Sequence, residues 1–317
     1  ILTPVNGIVT LNVPGLVAGK YTVSVEYAGD AKFSKATTSA NFTVNKLDTG
    51  MNVIVGNTTY GNNVTITVTV HPEATGKVNI TINDDTYSVD IVNGKATYTM
   101  VKPTAGKYDV TVTYDGDAKF TNSTVSAEFT VSKLDSAMDV GVGNIAYGEN
   151  GTITVTFNSG ATGKVIIAVN GVAHEVDIVG GKAVYAVVNP AAGKYNVTVT
   201  YDGDTNFNGA IFSTDFVVSK INPDMDVDIA TDNFGGEATV TVTVNTKATG
   251  SVTITIDGTD YIVPIVNGKA VLNVNGLVEG IHTVTVNYEG DENFTESTIT
   301  NDFAISNVNA SLNVIVG

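Results

Sequence analysis

The sequence predicts an all-β chain of tandem seven-stranded antiparallel β-sandwiches that repeat every 87 residues. Three observations carry that expectation. The segment "TVTYDGDAKF" at 111–120 returns as "SVEYAGDAKF" at 24–33, "TVTYDGDTNF" at 198–207 and "TVNYEGDENF" at 285–294, at a constant spacing of 87 residues, and such self-similarity marks a repeat architecture. Within one period, runs of five to seven β-formers alternate apolar and polar, with no helical period. Gly, Asn and Pro then punctuate those runs often enough for seven short strands in fewer than 90 residues.

The period 47–133 illustrates the elements in order. Met51–Val55 is a first strand, and "GNTTYGN" connects it to the strictly alternating Val64–Val70. "HPEATG" turns the chain into Lys77–Ile82, and "NDD" closes a hairpin with Thr86–Ile91. Asn93-Gly94 suits a two-residue hairpin turn, because both residues tolerate positive φ, and it leads into Ala96–Val101. Pro103 and Gly106 break the chain before Tyr108–Tyr114, and the last strand spans roughly Val125–Val131. Alternation places Tyr108, Val110, Val112 and Tyr114 on a buried face and Asp109, Thr111 and Thr113 on the wet one.

Strand number, turn density and spacing fit an immunoglobulin-like sandwich. The period assigns 47–133, 134–220 and 221–307 as full repeats, 1–46 as the C-terminal part of another, and 308–317 as the first strand of a further one. The chain thus reads as a window on a longer array. Tyr108, after its Pro/Gly corner, reads as a tyrosine corner, in which a hydroxyl bonds the backbone a few residues upstream. Tyr21 and Tyr195 are its equivalents, whereas His282 replaces it in the last repeat and puts the corner there in question.

The acidic Asp115-Gly116-Asp117 lies in the loop between the last two strands. It reads as a turn, with Gly116 supplying a permissive backbone, Asp117 accepting turn amides and Phe120 plugging the loop. A calcium site of Asp115, Asp117 and Asp135 is the weaker alternative. Calcium wants six to eight oxygens, yet Asp115 becomes Ala28 in one copy and Asp135 becomes Asn222 in another. No catalytic residue, metal site or cofactor is assigned. His71, His174 and His282 fall at different repeat positions, and no metalloprotease, nucleophile-elbow or phosphate-loop motif is present.

Composition narrows the rest. The chain has no cysteine, and its 16 basic residues are all lysines, so disulfides and bidentate arginine clamps are unavailable. Net charge is −16, distributed as about +2 over 1–46 and −3, −4 and −11 over the three full repeats. Such a balance repels nucleic acid and anionic lipid. No apolar run is long enough for a membrane span, so no membrane contact is expected of this segment.

The pattern "ATGKVNITIN…VNGKATYTM…AGKYDVTVTYDGDAKF" resembles the bacterial immunoglobulin-like repeat family of group 3 type, through Ala74-Thr75-Gly76, Asn93-Gly94, Gly106, Tyr114 and Gly116-Asp117. Such repeats abound in very long adhesin-like surface proteins of bacteria and methanogenic archaea. The resemblance implies an extracellular, cell-surface sandwich stalk that holds something else away from the cell, and it brings no active-site residues.

Two further sets of residues stand out. Among the Asn-x-Ser/Thr sequons, Asn57, Asn122, Asn63, Asn150 and Asn293 are candidate glycosylation sites. In the junctions "FTVNKLDTGMNVIV", "FTVSKLDSAMDVGV" and "FVVSKINPDMDVDI", the apolar Leu47, Leu134 and Ile221 sit in linkers with few spare residues and are expected to pack between neighbouring domains. Short buried linkers restrict bending far more than flexible tethers do. The expected function is therefore a non-enzymatic, semi-rigid stalk or filament segment, the alternative being a module that binds glycan or protein through its loops. Expected partners are neighbouring repeats of the same chain, with cell surfaces or glycans engaged by domains outside this window.

Overall fold

The computed structural model describes residues 1–232, 236–306 and 314–315. All regular elements among them are strands, and no helix among them is long and apolar enough to cross a membrane. The expected strand at 308–317 lies outside the described residues, apart from 314–315. Two compact units are present, Ile1–Asp135 with Asp204–Asn208, and Ser136–Gly203 with Gly209–Gly317.

In the first unit, Asn52–Ile54, Val64–Thr69 and Lys95–Met100 form a three-stranded antiparallel sheet in that order. A second sheet runs Thr58–Thr59, Ser123–Ser132, Gly106–Tyr114, Lys77–Ile82, Asp85–Asp90. The core lies where the apolar faces of the two sheets meet: Val64, Ile66 and Val68 from one, and Val78, Ile80, Val110, Val112 and Phe129 from the other. The period-2 alternation gives this face directly, since Val110, Val112 and Tyr114 are buried while Asp109 is exposed.

Thr58–Thr59 lies outside the expected strands. Two residues within the expected connection pair in parallel with Val131 and Ser132. Asn57 draws them across, its Oδ1 accepting the Thr130 amide at 2.7 Å. The Asn93-Gly94 turn has the expected positive φ values of 51° and 72°. A Cβ on Gly94 would lie 3.0 Å from Val70 O and from Pro72 Cα, so the loop after Val64–Thr69 packs against a glycine that no other residue replaces without strain.

Residues 1–46 contribute one hairpin, Gly19–Tyr27 against Ala36–Val44. Val23, Val25, Tyr27 and Phe42 are exposed on it, although their equivalents one period later, Val110, Val112, Tyr114 and Phe129, are buried. The hairpin forms a two-stranded sheet, so its apolar residues have no facing sheet among the described residues.

The second unit contains two further sheet pairs. Asp139–Gly141, Gly151–Thr156 and Lys182–Val187 make a three-stranded sheet, and Ile145–Ala146, Asn208–Ser219, Gly193–Gly203, Lys164–Val169 and Val172–Asp177 make a five-stranded one. Asn144 repeats the crossing device, its Oδ1 accepting the Val217 amide at 2.8 Å. In the last pair, Asp226–Asp232, Glu237–Thr243 and Lys269–Val274 face Thr259–Pro264, Ser251–Ile256, Gly280–Tyr288 and Ser297–Ile305. Here the first strand runs unbroken to Asp232 beside Glu237–Thr243. Thr231 stands where the other copies have Asn57 and Asn144, so the carboxamide that pulls the chain to the other sheet is missing.

Candidate functional site

The acidic loop is a structural clamp. Asp117 Oδ1 accepts the amides of Lys119 and Phe120 at 2.8 and 2.9 Å, and Oδ2 accepts the amide and hydroxyl of Thr75 at 2.9 and 3.0 Å. Tyr114 donates its hydroxyl to Thr75 O at 2.9 Å, so strand end, acidic loop and Ala74-Thr75-Gly76 turn are tied together. Asp291 repeats this with Asn293, Phe294 and Thr249, and Tyr288 with Thr249 O. Burial pushes both carboxyls up, but the amide and hydroxyl donors outweigh it: Asp117 is held well below the usual carboxylate range, and Asp291 at about 2. Burial, followed by the facing carboxylates, raises Tyr114 and Tyr288 to about 12.

The clamped loop presents Phe294 to the residues that precede the repeat. Ile221 forms a parallel bridge with Phe294. Its amide donates to Asn293 O at 3.1 Å, and its carbonyl accepts the Thr295 amide at 2.9 Å. Lys220 Nζ donates to Asp291 O. Tyr147 meets the buried Phe294 edge-on, with centroids 5.5 Å apart, and Lys247 lies 5.7 Å over the Tyr147 ring. Asn293 Oδ1 accepts the Ala192 amide at 2.8 Å. Within the second unit this surface therefore joins residues of 134–220 to residues of 221–306 by a linker bridge, an aromatic contact and an asparagine latch.

The first unit holds the same constellation 87 residues earlier. Leu134 bridges Phe207, Tyr60 packs edge-on against Phe207 at 5.5 Å, and Asn206 Oδ1 accepts the Ala105 amide at 3.0 Å. Lys133 Nζ donates to Asp204 O at 2.5 Å. Leu47 bridges Phe120 likewise, but remains 61 % exposed. At the latch position Lys119 replaces asparagine and pairs with Glu73 at 3.0 Å instead. Sequence reasoning misses Tyr60, Tyr147, Asn206 and Asn293 as joint residues. The Lys32, Lys119, Asn206, Asn293 column of the repeat is the available signal, since a lysine-to-asparagine change halves the reach and adds an acceptor.

The remaining candidate residues are dispersed. Among the described residues no three of His, Asp and Glu converge as metal ligands, Asp115, Asp117 and Asp135 included. Of the sequon asparagines, Asn122 lies exposed in the loop after Phe120. Asn57, Asn63, Asn150 and Asn293 each accept a backbone amide through Oδ1. His71 packs tilted against Phe120, and His174 stacks on Tyr185. The corner in question is present after all, because His282 Nε2 reaches Val278 O at 2.7 Å, as Tyr108 OH reaches Thr104 O at 2.9 Å.

A family model described as bacterial Ig-like domain (group 3) matches residues 53–132 and 227–306. The chain belongs to that family. A comparison with curated proteins found no match. Among solved structures, the bacterial Ig-like chain is similar to titin domains at 13% identity, covering 81% of this chain and 99% of that one, with a TM-score of 0.36. It is similar to an ectodomain fragment of ICAM-5 at 12% identity, covering 91% and 84%, with a TM-score of 0.36. A structure concerned with host cell surface retention of a 1.5-MDa bacterial ice-binding adhesin shares 17% identity over 83% and 99%, with a TM-score of 0.30.

Proposed function

We propose that this chain is a non-enzymatic segment of an extracellular, adhesin-like stalk, in which bacterial Ig-like modules act as length. The single observation that carries the reading is the joint built twice at an interval of 87 residues: Leu134 and Ile221 bridged to Phe207 and Phe294, with Asn206 and Asn293 latched to Ala105 and Ala192. A bonded linker costs a module its freedom to swivel, and a chain of such modules gains reach at constant mass. Strands of nine residues span about 30 Å, so each module adds roughly 40 Å with its loops. The charge of −16 keeps such a surface hydrated and discourages self-association.

Small-angle scattering of the chain tests this. A stalk gives a cross-section near one sandwich and a maximum dimension well above 100 Å, by the same per-module estimate. A compact particle, or a profile fitted only by freely swivelling beads, overturns the reading. Retention of the chain on a glycan array would instead favour the loop-binding alternative.

A further inference from the structure

In two modules the corner before the Gly106 and Gly193 strands is neutral. Tyr108 donates to Thr104 O at 2.9 Å while Asn83 Oδ1 accepts the Asp109 amide at 3.1 Å. Tyr195 donates to Ala191 O at 3.0 Å while Asn170 Oδ1 accepts the Asn196 amide at 2.8 Å. One period later both residues change together, tyrosine to His282 and asparagine to Asp257. Asp257 Oδ1 keeps the amide bond, to Thr283 at 3.1 Å, and its Oδ2 lies 2.5 Å from His282 Nδ1. His282 Nε2 lies 2.7 Å from Val278 O. The ring is 4 % exposed and stacks on Phe303 at 5.4 Å. Both ring nitrogens therefore face oxygens that accept. A neutral imidazole has one N–H and satisfies one of them, whereas an imidazolium satisfies both.

We propose that His282 and Asp257 form a protonation-dependent latch on the loop Leu277–Gly280, closed when the ring carries two protons and loosened when it loses one. The charged group that faces the ring, Asp257, favours closure, and the other titratable groups on the surrounding elements are also acidic. Asp257 touches the ring, Glu279 lies in the loop, and Glu237 opens the strand after Gly236, whose carbonyl accepts the Leu277 amide at 2.9 Å. Asp302 on the neighbouring strand turns to the Thr283 hydroxyl at 2.7 Å, and Asp260 to the Thr255 hydroxyl at 2.7 Å. All are carboxylates, and Ser251–Ile256 carries no titratable group.

The Asp257 bond, then the Val278 carbonyl, raise the ring's pKa above its ordinary 6.5, against burial, which lowers it. The His282 bond, then the Thr283 amide, lower Asp257 below 3.8. A raised histidine contributes stability that is complete below 6.5 and lost as pH climbs through the folded value. A lowered aspartate contributes stability that is present above 3.8 and lost as pH falls through its folded value. The latch is thus closed below 6.5 and opens as pH climbs through the ring's raised value. Glu279 occupies the position of Ala105 and Ala192, whose amides donate to Asn206 and Asn293. On the stalk reading proposed above, the latch therefore tunes the receiving half of a joint, although the titration itself does not depend on that reading.

The test uses the full chain. Imidazole NMR resonances are followed from pH 5 to 9, with hydrogen exchange of residues 277–282 corrected for intrinsic rates, in the wild type, H282Y, D257N and the double variant H282Y/D257N. We expect His282 to titrate above 6.5 and loop protection to fall about tenfold across that titration. The double variant, which restores the tyrosine–asparagine pair, should hold its protection constant. A ring that titrates at or below 6.5, or wild-type protection that stays flat, overturns the latch and leaves the stalk reading standing. A compact scattering profile with the titration intact does the reverse.

Discussion

Asp291 is held from two sides, by the Asn293 and Phe294 amides on Oδ1 and by Thr249 on Oδ2, so its charge is part of the loop's geometry. With a folded pKa of about 2 against an ordinary 3.8, it contributes stability that is present above 3.8 and lost as pH falls toward 2. D291N retains one acceptor oxygen and faces Thr249 with an amide group that cannot accept. We expect it to lose about 1–2 kcal/mol relative to the wild type at pH 7 and clearly less at pH 2, read from urea midpoints at the two pH values. Expression in a glycosylating host tests the sequons at the same scale. Glycan should appear at Asn122, which is exposed, and not at Asn293, whose carboxamide is bound to Ala192, as peptide mapping by mass spectrometry would report. Much at this scale is readable from the chain. Phe120 as a plug, Asp117 as a turn acceptor and Tyr108 as a corner all follow from residue type and position. His282 reads as a loss when its column of the repeat is considered alone. The change from Asn83 and Asn170 to Asp257, 25 residues earlier in the repeat, is what lets imidazole do the tyrosine's work, and only contact in space connects the two columns.

Strands with one buried face announce themselves through alternation, which is why Val64–Thr69 and Gly106–Tyr114 are legible to within a residue or two. Thr58–Thr59 and Ile145–Ala146 are not, because two residues have no period. Their pairing depends on an asparagine side chain reaching another strand more than 70 residues away. N144T transplants the last module's threonine into the second. We expect the Tyr147 amide, bonded to Ser219 O at 2.9 Å, to exchange about tenfold faster, while amides of Gly151–Thr156 stay protected. Unchanged exchange at Tyr147 would mean that the crossing needs no asparagine. The hairpin at Gly94 supplies a second check. G94A adds a Cβ at φ 72° that meets Val70 O at 3.0 Å, and should cost about 1–3 kcal/mol, whereas alanine at the exposed Gly56, with nothing within 4 Å, should cost far less.

For the whole molecule, the question is what limits rotation of one module on the next. Three contacts in the second unit restrain it together, namely the Ile221–Phe294 bridge, Tyr147 against Phe294, and Asn293 on Ala192. The first two are local to a buried phenylalanine and form wherever the linker reaches the loop. The asparagine side chain differs, since the residue's backbone carbonyl already takes the Ile221 amide while its Oδ1 makes a separate bond to the Ala192 amide, between a loop and a corner. Leu134 and Ile221 stand out in their junctions as apolar residues, whereas the latch shows only when the repeats are aligned and Lys119 becomes Asn206 and Asn293, because within one repeat an asparagine in a polar loop looks like any other turn residue. N293A separates the two roles. It should leave each module's thermal midpoint within about 2 °C, since no core contact is lost. Residual dipolar couplings should then require different alignment tensors for 134–220 and 221–306, whereas the wild type should fit one. If the alanine variant still fits one tensor, the bridge and the tyrosine suffice to hold the angle, and the asparagine column has no part in stiffening the proposed stalk.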